Sequence, residues 1–309
     1  MEEEVIEKLK RGYAFSEIQD EMSLTQEDYV KLLKRINVDI KNNLAQKKFF
    51  SDGTVSNSDV AEDFSIITQS DEKSFHYCVI SDTHIGSKDD NLSYLDLVYN
   101  YCLQNNINYL FHGGDLIDGI QGADDKRLYL SDQVYEVIEK YPYDDSIVNI
   151  VNLGNHDFDS IAFDLPIDEA LIKYRHDIIP IGYGTNEISI KNDSFVMSHF
   201  HPCDKGKKEI SRKLILRGHS HRFKTQDDHN NFHVFIPSLS DKEFPEHFVP
   251  GFLDIKITFQ KGYCGEVIIK FLGIINNRIY PLGLNQKYFC YKIPGKDLQK
   301  NILEYIKRR

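Results

Sequence analysis

Residues 75–86 read Phe-His-Tyr-Cys-Val-Ile-Ser-Asp-Thr-His-Ile-Gly, an apolar run that ends in a turn carrying Asp82 and His84. In an extended segment, residues two apart lie on the same side of the chain. The two side chains are therefore expected to point to the same place. Carboxylate and imidazole groups are common ligands of divalent metals. The pattern predicts a strand followed by a metal-binding turn.

The same arrangement recurs four more times along the chain. Apolar runs precede turns at 113–118 (GGDLID), 154–157 (GNHD), 198–201 (SHFH) and 218–221 (GHSH). The turns offer carboxylates, imidazoles and one amide, which are donors that suit Mn, Fe, Zn or Ni. One D-x-H turn is a weak signal, but five such turns in series predict a metal centre.

The residues around these donors fit the same chemistry. Glycines 114, 154 and 218 remove side chains where the backbone must come close to an ion. His156 follows a potential ligand directly, and an imidazole there can protonate a leaving alkoxide or stabilise phosphoryl oxygens. Two metal ions about 3.5–4 Å apart can offset the charge of a phosphate ester.

The ordered series D-x-H, G-D-x-x-D, G-N-H-D, H and G-H-x-H resembles the calcineurin-like metallophosphoesterases, over residues 75 to about 245. The resemblance implies a four-layer α/β/β/α sandwich with two metals at the C-terminal edges of the strands. One metal would be held by Asp82, His84, Asp115 and His221. The second would share Asp115 and be held by Asn155, His199 and His219. His156 would face the phosphate and leaving group, and Asp118 would orient it.

Some histidines leave alternatives open. His201 lies two residues after His199 and could exchange roles with it, although His199 directly follows the apolar run and is preferred. Asp157 is expected to support its turn. The remaining histidines without motif support are interpreted as surface or satisfied core residues: His112, His176, His229, His233 and His247.

The substrate is indicated less sharply than the metal ligands. The first two motifs are most similar to the nuclease branch, which includes double-strand-break repair nucleases and the small subunit of archaeal DNA polymerase D. The resemblance therefore predicts a phosphodiesterase that cleaves nucleic acid by a metal-bound hydroxide. A basic loop at 205–213 could hold a phosphate backbone or form a solvated amphipathic helix. The alternatives are a phosphodiesterase or phosphatase for small nucleotides, and a DNA-binding scaffold subunit.

The chain divides into four predicted segments. Residues 1–40 have three short helical patterns and resemble a helix-turn-helix module; 41–74 form a polar linker with one short strand near 64–67. Residues 75–295 form the metallophosphoesterase domain, and 296–309 a C-terminal helix. Residues 1–50 carry nine Lys/Arg against ten Asp/Glu, so the helices could equally be a packing or oligomerisation element.

Within the catalytic segment, strands and helices alternate. Strands are predicted at 77–80, 109–112, 147–151 and 178–181, with helices at 92–104, 126–140 and 166–175. Further strands are predicted at 187–190, 194–198 and 214–216. Antiparallel strands at 232–236, 252–259 and 266–272 are predicted to complete the second sheet.

Composition narrows the class of protein. The chain has 309 residues, 41% of them hydrophobic, and no apolar run near the ~18 residues that span a bilayer. An acidic start argues against a secretory signal, and five scattered cysteines suggest reduced thiols, so a cytoplasmic location is expected. The net charge of −11 argues against general nucleic-acid binding but allows a local basic groove.

Overall fold

The computed structural model describes residues 2–13, 15–44, 46–57, 64–120, 128–162, 166–199, 213–228, 231–241 and 248–288. Two β-sheets of eight and seven strands form the framework of this part of the chain. Its helices are α1 (Glu2–Lys10), α2 (Phe15–Glu21), α3 (Gln26–Leu44), α4 (Leu92–Gln104), α5 (Leu130–Lys140), α6 (Asn155–Phe158) and α7 (Ile167–Tyr174). A 3-10 turn, Asp159–Ala162, follows α6.

The strands are numbered in chain order. They are β1 (Lys47–Phe50), β2 (Val55–Asn57), β3 (Ser65–Ile67), β4 (Ser74–Ile80), β5 (Tyr109–His112), β6 (Val148–Leu153), β7 (Ile178–Tyr183), β8 (Thr185–Ile190), β9 (Asp193–Ser198), β10 (Lys213–Arg217), β11 (Lys224–Asp228), β12 (Asn231–Phe235), β13 (Gly251–Gln260), β14 (Tyr263–Ile275) and β15 (Arg278–Tyr288). The larger sheet has the order β11-β12-β10-β9-β8-β3-β1-β2 and the smaller β15-β14-β13-β4-β5-β6-β7.

The hydrophobic core lies between the sheets. The ring of Tyr77 on β4 stacks on Phe195 of β9, with centroids 5.4 Å apart, and Phe111 of β5 packs edge-on against both. Successive side chains on a strand point to opposite faces. Cys78 accordingly faces away from this core and contacts Cys102 of α4 on the outer side of the sheet. The predicted α/β sandwich is confirmed.

Parallel pairing of β4, β5, β6 and β7 explains their composition. Every residue of β5, β6 and β7 is buried, because helices and the second sheet cover both faces. The four strands point the same way, so their C-terminal ends lie at one edge of the sheet. That edge is where three of the five predicted turns begin.

Two predictions of sheet membership were wrong. β13 and β14 join the sheet of β4 instead of completing the other sheet, because β13 pairs antiparallel with the edge of β4 that β5 leaves open, with Leu253 opposite Val79. β12 does belong to the larger sheet, but it lies parallel to β10 and antiparallel to β11. β15 was not predicted; it contains Pro281, which is tolerated at a sheet edge.

The segment predicted as a linker, 41–74, is largely built into the larger sheet. α3 extends to Leu44, and β1, β2 and β3 follow it. β1 and β3 each bury one apolar residue, Phe49 and Ile66, whereas β2 at the sheet edge is exposed throughout. A strand that buries one residue in three or four has no clear alternation, which is why polarity alone favoured a linker. The predicted helix at 296–309 lies outside the described residues.

Three helices form where the N-terminal pattern predicted them. Thr25 and Asp28 make a reciprocal capping box at the start of α3, with N–H to side-chain oxygen distances of 3.3 and 3.2 Å. Leu9, Ile18 and other apolar residues of these helices are buried against the rest of the protein. No helix among the described residues is long and apolar enough to cross a membrane.

A buried arginine ties α5 to α7. The Arg175 guanidinium donates to the main-chain carbonyls of Ile138, Tyr141 and Pro142 at 2.9–3.2 Å. It also pairs with both carboxylate oxygens of Asp177, at 2.8 and 2.7 Å. These contacts satisfy carbonyls at the end of α5 that the helix itself cannot pair.

Replacing Arg175 by methionine is expected to lower the free energy of unfolding by about 3 kcal/mol, since it leaves buried carbonyls and Asp177 without a donor. Urea titration followed by circular dichroism measures the change. Arg11→Met is the matched control, because Arg11 pairs with Glu7 only at the surface and its loss is expected to cost under ~0.5 kcal/mol. Equal losses in both variants would contradict this role for Arg175.

Candidate metal centre

The five predicted turns meet at the seam between the two sheets. Three follow β4, β5 and β6 of the smaller sheet, and two follow β9 and β10 of the larger one. Within the described residues, the turns bring three overlapping groups of potential ligands together. Each group has its ligand atoms within 4.8 Å of one another: Asp82, His84 and His221; His84, Asp115 and His156; and Asp115, His199 and His219.

The first group combines the turns after β4 and β10. Asp82 Oδ1 lies 3.2 Å from His221 Nε2 and 4.0 Å from His84 Nε2. The two imidazole Nε2 atoms are 3.2 Å apart. Asp82 also accepts the backbone N–H of His219, at 3.1 Å from both carboxylate oxygens. These three side chains are the ligands that sequence assigned to one metal together with Asp115.

Asp115 is the central residue of the group that it forms with His199 and His219. Its Oδ2 lies 3.0 Å from His199 Nε2, yet neither atom makes a hydrogen bond of acceptable geometry, because both are directed at common space. The other ring nitrogen, His199 Nδ1, donates to the carbonyl of Gly113 at 2.8 Å. The Nε2 lone pair is therefore left to face a ligand. His219 completes this group and, unlike the others, is exposed.

Asn155, in the turn after β6, offers a buried amide oxygen. Its side chain is only 4% exposed, and its Oδ1 has no hydrogen-bond partner among the described residues. A buried amide oxygen without a partner costs about 1–3 kcal/mol unless something else binds it. Together with the unpaired Asp115 Oδ2 and His199 Nε2, it fits a divalent cation. The donor set present therefore suits the two metals that the sequence predicted.

The backbone is unusual at the proposed ligands. Left-handed conformation is rare outside glycine and costs roughly 1–3 kcal/mol per residue, so it persists where the surroundings fix it. Five of the seven predicted ligands adopt it: Asp82 (φ 54°), His84 (45°), Asp115 (54°), His219 (70°) and His221 (57°). Strain concentrated on these donors indicates that the turns are shaped for a site.

Two glycines allow the turns to approach each other. A Cβ on Gly154 would lie 2.2 Å from Asp115 Oδ1, and one on Gly114, where φ is 113°, would lie 2.3 Å from His199 Nδ1. No real side chain tolerates such distances, so larger residues would push the ligands apart. The sequence pattern that placed glycine beside each ligand thus has a steric cause.

Histidines control the charge of the central carboxylate. Burial alone would raise the pKa of Asp115, but His199 and His156 hold that pKa well below its usual range. Against the effect of burial, Asp115 in turn raises the pKa of His199 to about 9. Burial and the neighbouring His199 lower the pKa of His219 to about 4. Asp115 is thus an anion in the folded protein, as a bridging ligand must be.

His156 is held by the main chain of Asp118. His156 Nδ1 lies 2.6 Å from the Asp118 carbonyl oxygen, whereas the Asp118 carboxylate lies 3.5 Å from His84 Nδ1. The sequence predicted that Asp118 orients His156, and the contact is made through its backbone. Because a carbonyl only accepts, Nδ1 carries its proton and Nε2, 3.8 Å from Asp115 Oδ2, faces the centre.

Of the other residues that the sequence singled out, two have structural roles and several lie outside the described part of the chain. Asp157 supports its turn by accepting the N–H groups of Gly154 and Ile117 at 2.8 and 3.0 Å. His112 is a satisfied core histidine: Gly114 N donates to its Nδ1, and its Nε2 bonds Thr83 Oγ1. Outside the described residues lie His201, His229, His247 and most of the basic loop 205–213. His199 belongs to one of the three groups of potential ligands among the described residues.

One supporting element was missed by sequence reasoning. Ser238, in the loop after β12, donates from Oγ to the carbonyl of Asp82 at 2.8 Å and so fixes the first turn. The following Leu239 donates its N–H to the carbonyl of Ser81 at 3.0 Å. Only the Pro-Ser-Leu-Ser sequence after a strand hinted at this loop, and that is an ordinary turn signal.

The exposed side of the centre is basic. Residues 213–224 contain four cations, Lys213, Arg217, Arg222 and Lys224, and no carboxylate. Arg217 on β10 and Lys224 on β11 flank Phe235 of β12, with charged groups 5.8 and 5.6 Å from the ring centre. The exposed His219 lies within this segment, and Lys213 at the start of the segment pairs with Glu187 at 2.7 Å. The whole chain carries a net charge of −11.

Part of the chain matches a known protein family. Residues 75–223, which include all five turns, match the calcineurin-like phosphoesterase family. No curated protein sequence matches the chain. Among solved structures, the phosphoesterase YfcE from E. coli is 14% identical, with a TM-score of 0.43 over 68% of this chain and 98% of that one. Vacuolar protein sorting 29 from Cryptosporidium parvum is 12% identical, with a TM-score of 0.42 over 70% and 100% of the two chains. An archaeal phosphodiesterase is 15% identical, with a TM-score of 0.40 over 64% and 99%.

Proposed function

We propose that this chain, whose residues 75–223 belong to the calcineurin-like phosphoesterase superfamily, hydrolyses phosphodiester bonds with two divalent metal ions, nucleic acid being the substrate. The observation that carries the proposal is that six of the seven predicted donors lie in three overlapping groups, two of which include Asp115, while the Oδ1 of the seventh, Asn155, is buried without a partner among the described residues. Asp82, His84, Asp115 and His221 would hold one ion, and Asp115, Asn155, His199 and His219 the other. Such a pair supplies positive charge that offsets the anionic ester and acidifies water.

The chain itself contributes a proton-transfer group. His156 Nε2 is directed at the centre while its Nδ1 proton is held by the Asp118 carbonyl, so only Nε2 can exchange a proton with a substrate. The His156 backbone N–H donates to Asp115 Oδ1 at 3.0 Å, which fixes the imidazole relative to the ligands. Against the effect of burial, Asp115 raises the pKa of His156, so the ring can carry a second proton on Nε2. This imidazolium would protonate the leaving oxygen or hydrogen-bond the phosphoryl group.

The basic side of the centre favours a nucleic-acid strand over a small ester. A strand laid across His219 would place neighbouring phosphates near Arg217, Arg222 and Lys224. Cations next to the half-buried Phe235 resemble surfaces where a backbone is held by charge and a base by an aromatic ring. Manganese is the metal we choose for testing, since its preference for oxygen and imidazole ligands suits this donor set.

Hydrolysis by metal-stripped protein re-supplied with Mn²⁺ tests the function. The substrates are bis-p-nitrophenyl phosphate, p-nitrophenyl phosphate, and end-labelled single- and double-stranded DNA. We expect turnover of the diester and cleavage of DNA, and little turnover of the monoester. Turnover of the diester with intact DNA would move the substrate to small nucleotides. DNA binding without any turnover would instead support a scaffold subunit.

If the basic residues near the centre bind DNA, removing one of their charges is expected to weaken that binding. Lys224→Gln is expected to weaken binding of single-stranded DNA and to reduce its dependence on salt, lowering the slope of log K against log [salt] by roughly 0.7. Fluorescence anisotropy at several salt concentrations measures both effects. Lys256→Gln, which removes an exposed lysine from β13 of the other sheet, is the matched control. Equal slopes in the two variants would remove Lys224 from the binding surface.

A further inference from the structure

The N-terminal helices are packed directly on the elements that carry the metal ligands. α1 lies against the 3-10 turn Asp159–Ala162, α2 against α6, and α3 against β7. α6 contains Asn155 and His156, and β7 is the edge strand beside β6. The N-terminal helices therefore pack against elements that carry predicted metal ligands or adjoin them.

Asn37 of α3 is bonded to the end of β7. Its Oδ1 accepts the backbone N–H of Tyr183 at 2.9 Å, and its Nδ2 donates to the carbonyl of the same residue at 3.2 Å. Asn37 is 6% exposed. The side chain thus takes the place of a neighbouring strand at a sheet edge, where backbone groups would otherwise lack partners.

Gly184, the residue after Tyr183, packs closely against α3. Gly184 has φ of 83°, and a Cβ there would lie 2.5 Å from Leu33 Cδ1 of α3. Glycine permits both this backbone conformation and this close contact. Leu33 and Asn37 lie one helical turn apart, so the same face of α3 holds both residues of the 183–184 pair.

From Gly184 the connection to the ligands is short. Its carbonyl accepts the backbone N–H of His199 at 2.9 Å and Asn152 Nδ2 at 3.0 Å. Its own N–H donates to the carbonyl of Leu153, which directly precedes Gly154 and Asn155. One residue clamped by α3 therefore holds the main chain at the ligand His199 and at the turn after β6.

The Tyr183 side chain provides a second connection. Its ring packs edge-on against Phe158 of α6, with centroids 5.4 Å apart, and its hydroxyl donates to Asp168 at 2.8 Å. Phe158 lies two residues after His156. A shift of Tyr183 would therefore displace the short helix that carries His156.

We propose that the N-terminal helices brace the metal centre, and that Asn37 is a positioning residue acting on His199 and the 154–156 turn through Tyr183 and Gly184. The inference rests on metal binding at the centre and is independent of the substrate. It gives α3 a role distinct from the predicted recognition of DNA. Lys31, Lys34 and Arg35 lie on the exposed face of the same helix, so DNA binding there stays a separate prediction.

The test compares Mn²⁺ affinity in Asn37→Ala and wild-type protein by isothermal titration calorimetry. Loss of residues that orient metal ligands typically weakens affinity 10–100-fold, so we expect the Kd of the weaker ion to rise at least tenfold. With the diester substrate, kcat is expected to fall while KM stays within about twofold, because the brace does not touch the ester. If Asn37→Ala does not fold, Asn37→Ser keeps part of the hydrogen bonding and serves instead.

Asn149→Ala is the matched control. Asn149 is also buried, accepts from the Tyr99 hydroxyl at 2.9 Å and donates to a main-chain carbonyl, but it lies at the end of β6 remote from the turn. We expect a similar loss of thermal stability and unchanged Mn²⁺ affinity. Equal changes in affinity in the two variants, or none in either, would overturn the brace. Wild-type protein that binds no Mn²⁺ would overturn the proposed function and the brace with it.

Discussion

Asp115→Asn is expected to lower turnover of bis-p-nitrophenyl phosphate by roughly 10³-fold and to reduce Mn²⁺ uptake below two ions per chain. Asparagine removes the negative charge and offers one oxygen where a bridging carboxylate offers two. Loss of several kcal/mol of charge stabilisation, about 4 kcal/mol, corresponds to three orders of magnitude in rate. Calorimetric titration gives the stoichiometry, and initial rates give the loss of activity.

The substitution also tests why Asp115 is charged. Its pKa is held down by His199 and His156, so in the metal-free protein the same change removes their anionic partner. The matched control is Asp254→Asn, which alters a carboxylate that is equally buried but bonded to His76, Tyr101 and Lys270. The control is expected to lose stability and keep both ions. Two ions bound at wild-type affinity in Asp115→Asn would remove Asp115 from the bridging position.

His156→Ala is expected to lower kcat by roughly 10²–10⁴-fold while both Mn²⁺ ions remain bound. His156 Nε2 faces the centre, but seven other side chains would hold the proposed ions. The variant therefore separates proton transfer from metal binding. Exposed His176 belongs to none of the ligand groups, so His176→Ala is the control and is expected to leave the rate within twofold.

The two possible roles of His156 differ in their dependence on the leaving group. If it protonates the leaving oxygen, the alanine variant is expected to lose far more activity on DNA than on an aryl diester, whose phenolate leaves without help. If it hydrogen-bonds the phosphoryl group, both substrates lose activity equally. Loss of one Mn²⁺ ion in the variant would instead assign His156 as a ligand.

Local patterns indicated which side chains cluster in the structure, because each turn carries its own signal. Asp82 with His84, and His219 with His221, are two apart after strands, and such spacing depends on neither distant residues nor sheet order. The strands Tyr109–His112 and the helix Leu92–Gln104 were predicted with their observed bounds. Continuous apolar runs and a regular helical period give clear boundaries there.

Long-range pairing could not be predicted in the same way. Nothing in the composition of β13 indicates that it pairs with β4, where Cys78 lies opposite Asp254, so its sheet was assigned wrongly by chain order. The role of Asp118 was similarly ambiguous, since sequence does not distinguish a carboxylate contact from a carbonyl contact. Asn37 lies in a helix with no motif, and its link to Tyr183 joins residues 146 apart.

Placement of the ligands on both sheets has a consequence for biosynthesis. The first predicted donor is residue 82 and the last is residue 221, and the turns that carry the donors follow three strands of the smaller sheet and then two of the larger one. A growing chain therefore has no complete site until residue 221 has been made and both sheets have come together. Ions that bind only the finished fold stabilise it by mass action without guiding its early assembly. If the proposed ions bind only this finished arrangement, they would stabilise contacts between the two sheets and would not direct the formation of either sheet.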